Sequence, residues 1–215
     1  MFTFYLSINY MDNINQSKKI ILEKAFESFT REGPRNFTVE CLATNLGMSK
    51  KTIYKYFPSK DILIEKIFDY FTGMIKCKLK QIVESDMDPV EKYTTIMDFI
   101  MSKVSKMSMG KVVEVQNRHP VIWKKFVEFR QGLTQIFATI FIEAQEKGFA
   151  RKDIDMDIVA TIYMNIVNST FQPDFFLQNN LAPVDTINIF INLITEGMFT
   201  EKGISAMKQH KKGIK

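Results

Sequence analysis

Apolar residues recur along this chain at the three-and-four spacing of an α-helix, and no stretch shows the two-residue alternation of a half-buried strand. Over residues 17–32, Leu22, Phe26 and Phe29 fall at i, i+4 and i+7, with Ile21 and Ala25 beside them and charges opposite, until Gly33-Pro34 ends the helix. Two short helices are predicted next, over 39–46 and 50–57. Leu42 and Ala43 mark the inner side of the first, and Ile53 and Phe57, four apart, the inner side of the second. Gly47 breaks between them because glycine takes a left-handed turn without steric cost, and Ser49 supplies an N-cap. Pro58 stops the second short helix. Ser59 then caps a long one reaching about residue 84, with Ile62, Leu63 and Ile67 directed at the first three helices.

Beyond a polar break at 86–89, Asp88, Pro89 and Glu91 read as N-cap, first position and capping-box partner of a helix carrying Ile96, Met97, Phe99, Ile100, Met101 and Val104. A shorter segment at 111–116 leads to His119, a helix cap or a pocket group. Pro120 opens a helix expected to run unbroken to 147, with Trp123, Val127, Phe137, Ile140, Phe141 and Ala144 apolar and Gly148 ending it. A further helix spans 156–171. Phe175, Phe176 and Leu177 are expected in a connecting stretch, and Pro183 introduces a last helix to about 200. The four lysines from Lys208 to Lys215 suggest a disordered basic tail. The fold class is all-α: about nine helices, divided into a tail (1–14), a three-helix helix-turn-helix domain (15–62), a helical bundle (63–203) and a basic tail (204–215). Met11 competes with Met1 as the start.

Composition narrows the class. At 215 residues and 46% hydrophobic, the chain can bury a substantial core. Cys41 and Cys77 are too few for a disulfide framework and too far apart for a metal knuckle, so both read as packing residues in a reducing, cytoplasmic setting. No metal and no cofactor are expected. No segment approaches the ~20 apolar residues that span a bilayer, and the opening MFTFYLSINY has neither the basic start nor the cleavage site of a signal peptide.

The net charge of +5 matters less than its placement. Between residues 33 and 60 stand Arg35, Lys50, Lys51, Lys55 and Lys60, with Glu40 as the lone acid. The face of 50–57 away from Ile53 presents Lys50, Lys51, Thr52, Tyr54, Lys55 and Tyr56, cations and hydroxyls that grip phosphates and reach base edges in a major groove. Thr38 and Lys60 begin helices, where free N–H groups favour a phosphate. The candidate DNA contacts are therefore Thr38, Ser49, Lys50, Lys51, Thr52, Tyr54, Lys55, Tyr56 and Lys60. The competing readings are a solvated face for Lys51 and Lys55 and a helix brace for Tyr54.

From Lys18 to Tyr70 the chain resembles the DNA-binding domain of the TetR family of transcriptional regulators. The residues that carry the resemblance are Phe29 and Gly33, Phe37-Thr38-Val39, Ala43, Leu46-Gly47-Met48-Ser49, Thr52 to Phe57, and Ser59 to Leu63. Met48 stands where valine is usual and Cys41 where isoleucine is usual. Further on only the layout is similar, at Gly148-Phe149-Ala150 and Glu196-Gly197-Met198-Phe199. The resemblance implies a homodimer that presents two helix-turn-helix units to successive major grooves about 34–36 Å apart, and a C-terminal pocket whose occupation moves those units apart. It assigns DNA contact to Thr38, Lys50, Thr52, Tyr54, Tyr56 and Lys60.

The helices over 156–171 and 184–200 are offered as the dimer surface through Ile162, Ile166, Ile187, Ile191 and Ile194, unless these are internal core. Met97, Met101, Met107, Trp123, Phe126 and Tyr163 are offered as pocket lining for a hydrophobic effector, with ordinary core as the competing reading. The expected function is a ligand-responsive repressor bound to a double-stranded, palindromic operator, with no membrane partner. The alternative is a helical-bundle enzyme or a lipid or small-molecule carrier. The chain shows no phosphate loop, nucleophile elbow or His-Glu-x-x-His to support an enzyme, and the carboxylates Asp153, Asp155 and Asp157 fit a helix start.

Overall fold

The structure is a computed structural model that describes residues 16–213, so the expected N-terminal tail and the choice between Met1 and Met11 lie outside the described residues. The chain forms, in order, α1 (Gln16–Glu32), α2 (Val39–Leu46), α3 (Lys50–Tyr56), α4 (Lys60–Val83), α5 (Pro89–Val104), α6 (Met109–Arg118), α7 (Pro120–Gln131), α8 (Thr134–Glu146), α9 (Met156–Ser169), α10 (Pro173–Gln178), α11 (Pro183–Met198) and α12 (Glu201–Gly213). Extended pairing among the described residues is confined to one isolated antiparallel bridge, Ala150 with Phe199. None of the described helices is long and apolar enough to cross a membrane.

Three features raise the helix number above the nine or so expected. The helix predicted over 120–147 is interrupted at Gly132-Leu133, where glycine's low helix propensity allows a turn. Pro173 does not merely interrupt; it sits at the first position of α10, where its missing N–H costs nothing. The expected basic tail is instead α12, whose Met207 is buried and whose Gly203 packs so closely that a β-carbon there would lie 2.3 Å from the Phe149 carbonyl oxygen. A charge-rich sequence is held as helix by an apolar stripe that the lysine count obscures.

The described residues divide into two compact units. The first takes the chain to Leu79 together with Gly110–Phe126, so it reaches past residue 62 and includes a segment that the sequence groups with the bundle. Its core gathers Ile21, Leu22 and Ala25 of α1, Leu42 and Ala43 of α2, Ile53 and Phe57 around α3, and Leu63, Ile64 and Ile67 of α4, with Ile122 of α7. Ile62 is exposed, and Ile64 takes the inward place expected for it, a register shift within one turn of α4. Gly33, at φ 83, turns the chain out of α1, and Lys111 donates to the carbonyls of Thr30 and Arg31 at that helix end, where cations and donors are favoured. His119 occupies the cap position of α7, its carbonyl accepting from Trp123 N–H at 3.0 Å.

The second unit comprises Lys80–Met109 and Val127 onward. Its interior is aromatic: Tyr163 lies 5.1 Å from Phe137, 5.9 Å from Phe141 and 5.2 Å from Phe190, centroid to centroid. Buried Lys92 meets Glu143 at 3.0 Å, and Lys147 meets the same carboxylate at 2.8 Å. Burial works to raise the Glu143 carboxyl, but the bonds from Lys147 and Lys92 outweigh it and hold it below the usual range. Arg130 donates to the carbonyls of Val167 and Phe171 at the end of α9, and burial lowers its guanidinium to about 10.

The close approach at Gly203 yields a test of α12 as an integral element. Gly203→Ala forces its β-carbon into the Phe149 carbonyl and should destabilise the protein by about 1–3 kcal/mol, the usual cost of overpacking. Thermal unfolding of the variant would show it; an unchanged melting temperature would mean that α12 does not hold this position.

Candidate functional site

The first site is built on α2 and α3. Thr38 caps α2, its hydroxyl accepting from Cys41 N–H at 3.1 Å. Gly47 follows at φ 61 and donates to the Thr44 carbonyl at 3.1 Å, while Met48 N–H reaches back to Ala43 at 3.0 Å. These paired bonds close the α2 end in a Schellman motif. Ser49 then caps α3, accepting from Thr52 N–H at 3.1 Å, and its hydroxyl lies 2.9 Å from that of Thr52. Ile53 is fully buried and Phe57 nearly so. With the inner face anchored, Lys50, Lys51, Thr52, Tyr54 and Lys55 are all left exposed.

The nine predicted contacts therefore do not stand alike. Lys51, Tyr54 and Lys55 share one helix face, and neither lysine has an ion-pair partner among the described residues. Lys50 is engaged: its ammonium meets Glu40 at 2.9 Å, tying α3 to α2. The hydrogen bond between them holds the Glu40 carboxyl below its usual range and the Lys50 ammonium above its own. Tyr56 is half-buried against the core. The Lys60 ammonium sits 5.9 Å from the Phe37 ring centroid, within cation–π range. Cys41, expected to pack inside, is exposed, and Cys77 is half-buried. The pairing of Glu40 with Lys50 escaped the sequence reading because the two stand ten residues apart, across a turn.

The residues offered as pocket lining are dispersed. Trp123 and Phe126 belong to the first unit, where their rings lie 5.5 Å apart and Phe126 is 6.0 Å from Phe68. Met97 and Met101, in the second unit, line a cleft among α5, α11 and α12. Tyr163 lies behind it, its hydroxyl 3.3 Å from the Met97 sulfur, and Met107 does not line it. Tyr93, Thr195 and Met207 also line this cleft. Its α12 side was beyond sequence reading, because that segment looked like a tail.

The residues offered for dimerisation divide likewise. Ile162 is 52% exposed on α9 and is joined there by Ile158. Ile166, Ile187, Ile191 and Ile194 are half-buried, and Ile191 lines the cleft. On α11 the exposed apolar residues are Ile189 and Leu193, at 61% and 65%. The chosen stripe on α11 is half-buried while Ile189 and Leu193 face solvent, because apolar residues on more than one side of the helix leave spacing unable to say which side is covered.

A family model described as bacterial regulatory proteins, tetR family, matches residues 21–67, the stretch that holds most of α1, all of α2 and α3 and the start of α4. An uncharacterized HTH-type transcriptional regulator of Bacillus subtilis, YvaF, is 23% identical over 87% of this chain and 98% of its own length. Residues 21–67 are thus similar to the DNA-binding region of the TetR family. The HTH-type transcriptional repressor KstR2 of Mycobacterium tuberculosis is 21% identical over 68% of the chain and 75% of its own length. Among solved structures, a TetR-family regulator from Marinobacter aquaeolei VT8 matches with a TM-score of 0.65 at 15% identity, covering 91% of this chain and 99% of that one. The chain is a TetR-type transcriptional regulator, with the N-terminal helix-turn-helix and C-terminal helices of that fold.

On this cationic surface the Glu40 carboxylate repels a polyanion and holds Lys50. Glu40→Gln should therefore tighten duplex binding at low salt and steepen its salt dependence by about one counterion, the mark of one more phosphate contact. A filter-binding or fluorescence titration across a salt series measures this; an unchanged slope would show that Lys50 stays off the backbone.

Proposed function

We propose that this chain is a repressor that binds a palindromic operator as a homodimer and leaves it when a small hydrophobic effector binds the C-terminal helices. The observation that carries the reading is the seven-residue helix α3, anchored by Ile53 and presenting Lys51, Thr52, Tyr54 and Lys55 on its exposed side. Two ammonium groups without an ion-pair partner among the described residues attract the phosphate backbone, and the phenol and hydroxyl add directional donors at groove depth. Repression is supported by the name of the M. tuberculosis relative. No step of the reading calls on enzymatic chemistry, and binding chromosomal DNA places the protein in the cytoplasm.

A helix-turn-helix of this size reaches few base edges, so specific binding calls for a second copy. The apolar side chains that α9 and α11 leave exposed, Ile158, Ile162, Ile189 and Leu193, suit such a second copy, because scattered charge would solvate a free face better. Effector control follows from linkage: a ligand releases DNA only if it binds the DNA-free conformation more tightly.

Two measurements test this. The protein should bind duplex fragments from its own upstream region in preference to random duplex, with affinity falling steeply as salt rises, and Lys51→Ala should weaken binding and lower the salt slope by about one. Equal binding to every duplex would reject the regulator reading of these residues. Separately, Leu193→Glu should yield monomers in sedimentation with unchanged helical content, whereas an intact dimer would exclude α11 from the interface.

A further inference from the structure

The second unit contains a polar feature that DNA binding leaves unused. Tyr93 of α5 is 1% exposed and lines the cleft among α5, α11 and α12, yet its hydroxyl has no hydrogen-bond partner among the described residues. The hydroxyls of Thr195 and Tyr163 lie beside it, without meeting it in bonding geometry, and Tyr163 instead donates to the Met97 sulfur at 3.3 Å. Burial pushes the Tyr93 phenol up to about 12, with the neighbouring hydroxyls pulling the other way, so it keeps its proton as a donor at any ordinary pH. An unpaired buried hydroxyl is costly, and Tyr93 belongs to the wall of the cleft, so an acceptor bound there is within reach of a small side-chain adjustment.

Around this donor the cleft is lined by the methionines Met97, Met101 and Met207, adaptable apolar side chains that follow an irregular ligand. Its volume is about 170 Å³. An apolar cavity of about 150 Å³ accommodates benzene, whereas drug-sized ligands occupy roughly 300–1,000 Å³. The occupant is therefore one ring or a short chain. At the exposed rim stand Asp98, Glu196 and Lys208, two carboxylates against one ammonium, a balance unfavourable to an anionic ligand.

We propose that this cleft is the effector site and that it takes a small, uncharged, mainly apolar molecule bearing one carbonyl oxygen, which accepts a hydrogen bond from Tyr93. The proposal rests on the reading of the chain as an effector-controlled regulator. It adds to that reading the size and chemistry of the ligand and a place for α12 as one wall of its site.

The test is calorimetric titration of the full chain with acetophenone, with α-methylstyrene, in which a CH₂ replaces the carbonyl oxygen, and with benzoate. Acetophenone should bind about tenfold more tightly than α-methylstyrene, the ratio expected of one net hydrogen bond, and benzoate more weakly than acetophenone. Tyr93→Phe should erase the difference between the first two while melting no lower than the wild type, since it removes an unpaired hydroxyl. Met207→Trp, which fills the cleft and leaves Tyr93 in place, should abolish binding of both. Equal affinities in the wild type, a preference that survives Tyr93→Phe, or binding that survives Met207→Trp would each overturn the proposal. Operator binding by the ligand-free protein separates the two readings: a chain that binds its operator but no ketone refutes the cleft alone. One that binds acetophenone but no operator refutes the regulator and with it the effector role.

Discussion

The exposed cationic face of α3 depends on the burial of two side chains. A helix of seven residues has no independent stability in water, because nucleation costs more than two turns of hydrogen bonds return. α3 exists because Ile53 and Phe57 are removed from water by α1, α2 and α4, and because Ser49 and the Gly47 turn satisfy its entry and the exit of α2. Truncating a side chain such as Ile53 costs about 2–5 kcal/mol in a packed core, a large share of the ~5–15 kcal/mol that holds a domain folded. The same anchoring decides what α3 presents: with one face committed to the core, the side chains left in solvent are Lys50, Lys51, Thr52, Tyr54 and Lys55.

Charge is handled differently in the two units. On the exposed surface of α2 and α3, Glu40 and Lys50 form a solvated pair that an approaching phosphate can displace, since such pairs are weak and salt-screened. Inside the second unit charges are matched or capped: Lys92 and Lys147 share Glu143, and Arg130 satisfies the carbonyls at the end of α9. Against that pattern the lone hydroxyl of Tyr93 stands out. Of the buried side-chain atoms without a partner among the described residues, on Tyr93, Gln116, Asn168 and His210, only that of Tyr93 belongs to a residue lining the cleft.

Helix existence was legible throughout because each element carries its own punctuation, such as Gly33, Gly47 and Gly148, all at positive φ, and the caps Thr38, Ser49, Asp88 and Asp155. The helix-turn-helix was legible for a second reason: its core, its turn and its exposed cations lie within some twenty-five consecutive residues, so spacing and spatial arrangement nearly coincide. The residues misplaced were those whose environment comes from distant chain. Ile62 and Ile64 differ by half a turn, and only the packing of α1 and α2 decides between them. Cys41 looks like a core residue by type but falls on the outer side of α2.

The amino-acid sequence by itself determined the all-helical class, the caps and breaks, the helix-turn-helix and the cations on its outer face, because these follow from local periodicity and from short-range steric rules. Only the tertiary structure decided which sides of α9 and α11 meet solvent, that Trp123 and Phe126 are packed in the first unit, that the lysine-rich end is the helix α12, and that Tyr93 is left unpaired beside a cleft. The physical reason is common to the first three. Burial is non-directional and belongs to whichever surface arrives, so an apolar side chain records that it will be covered and not by what.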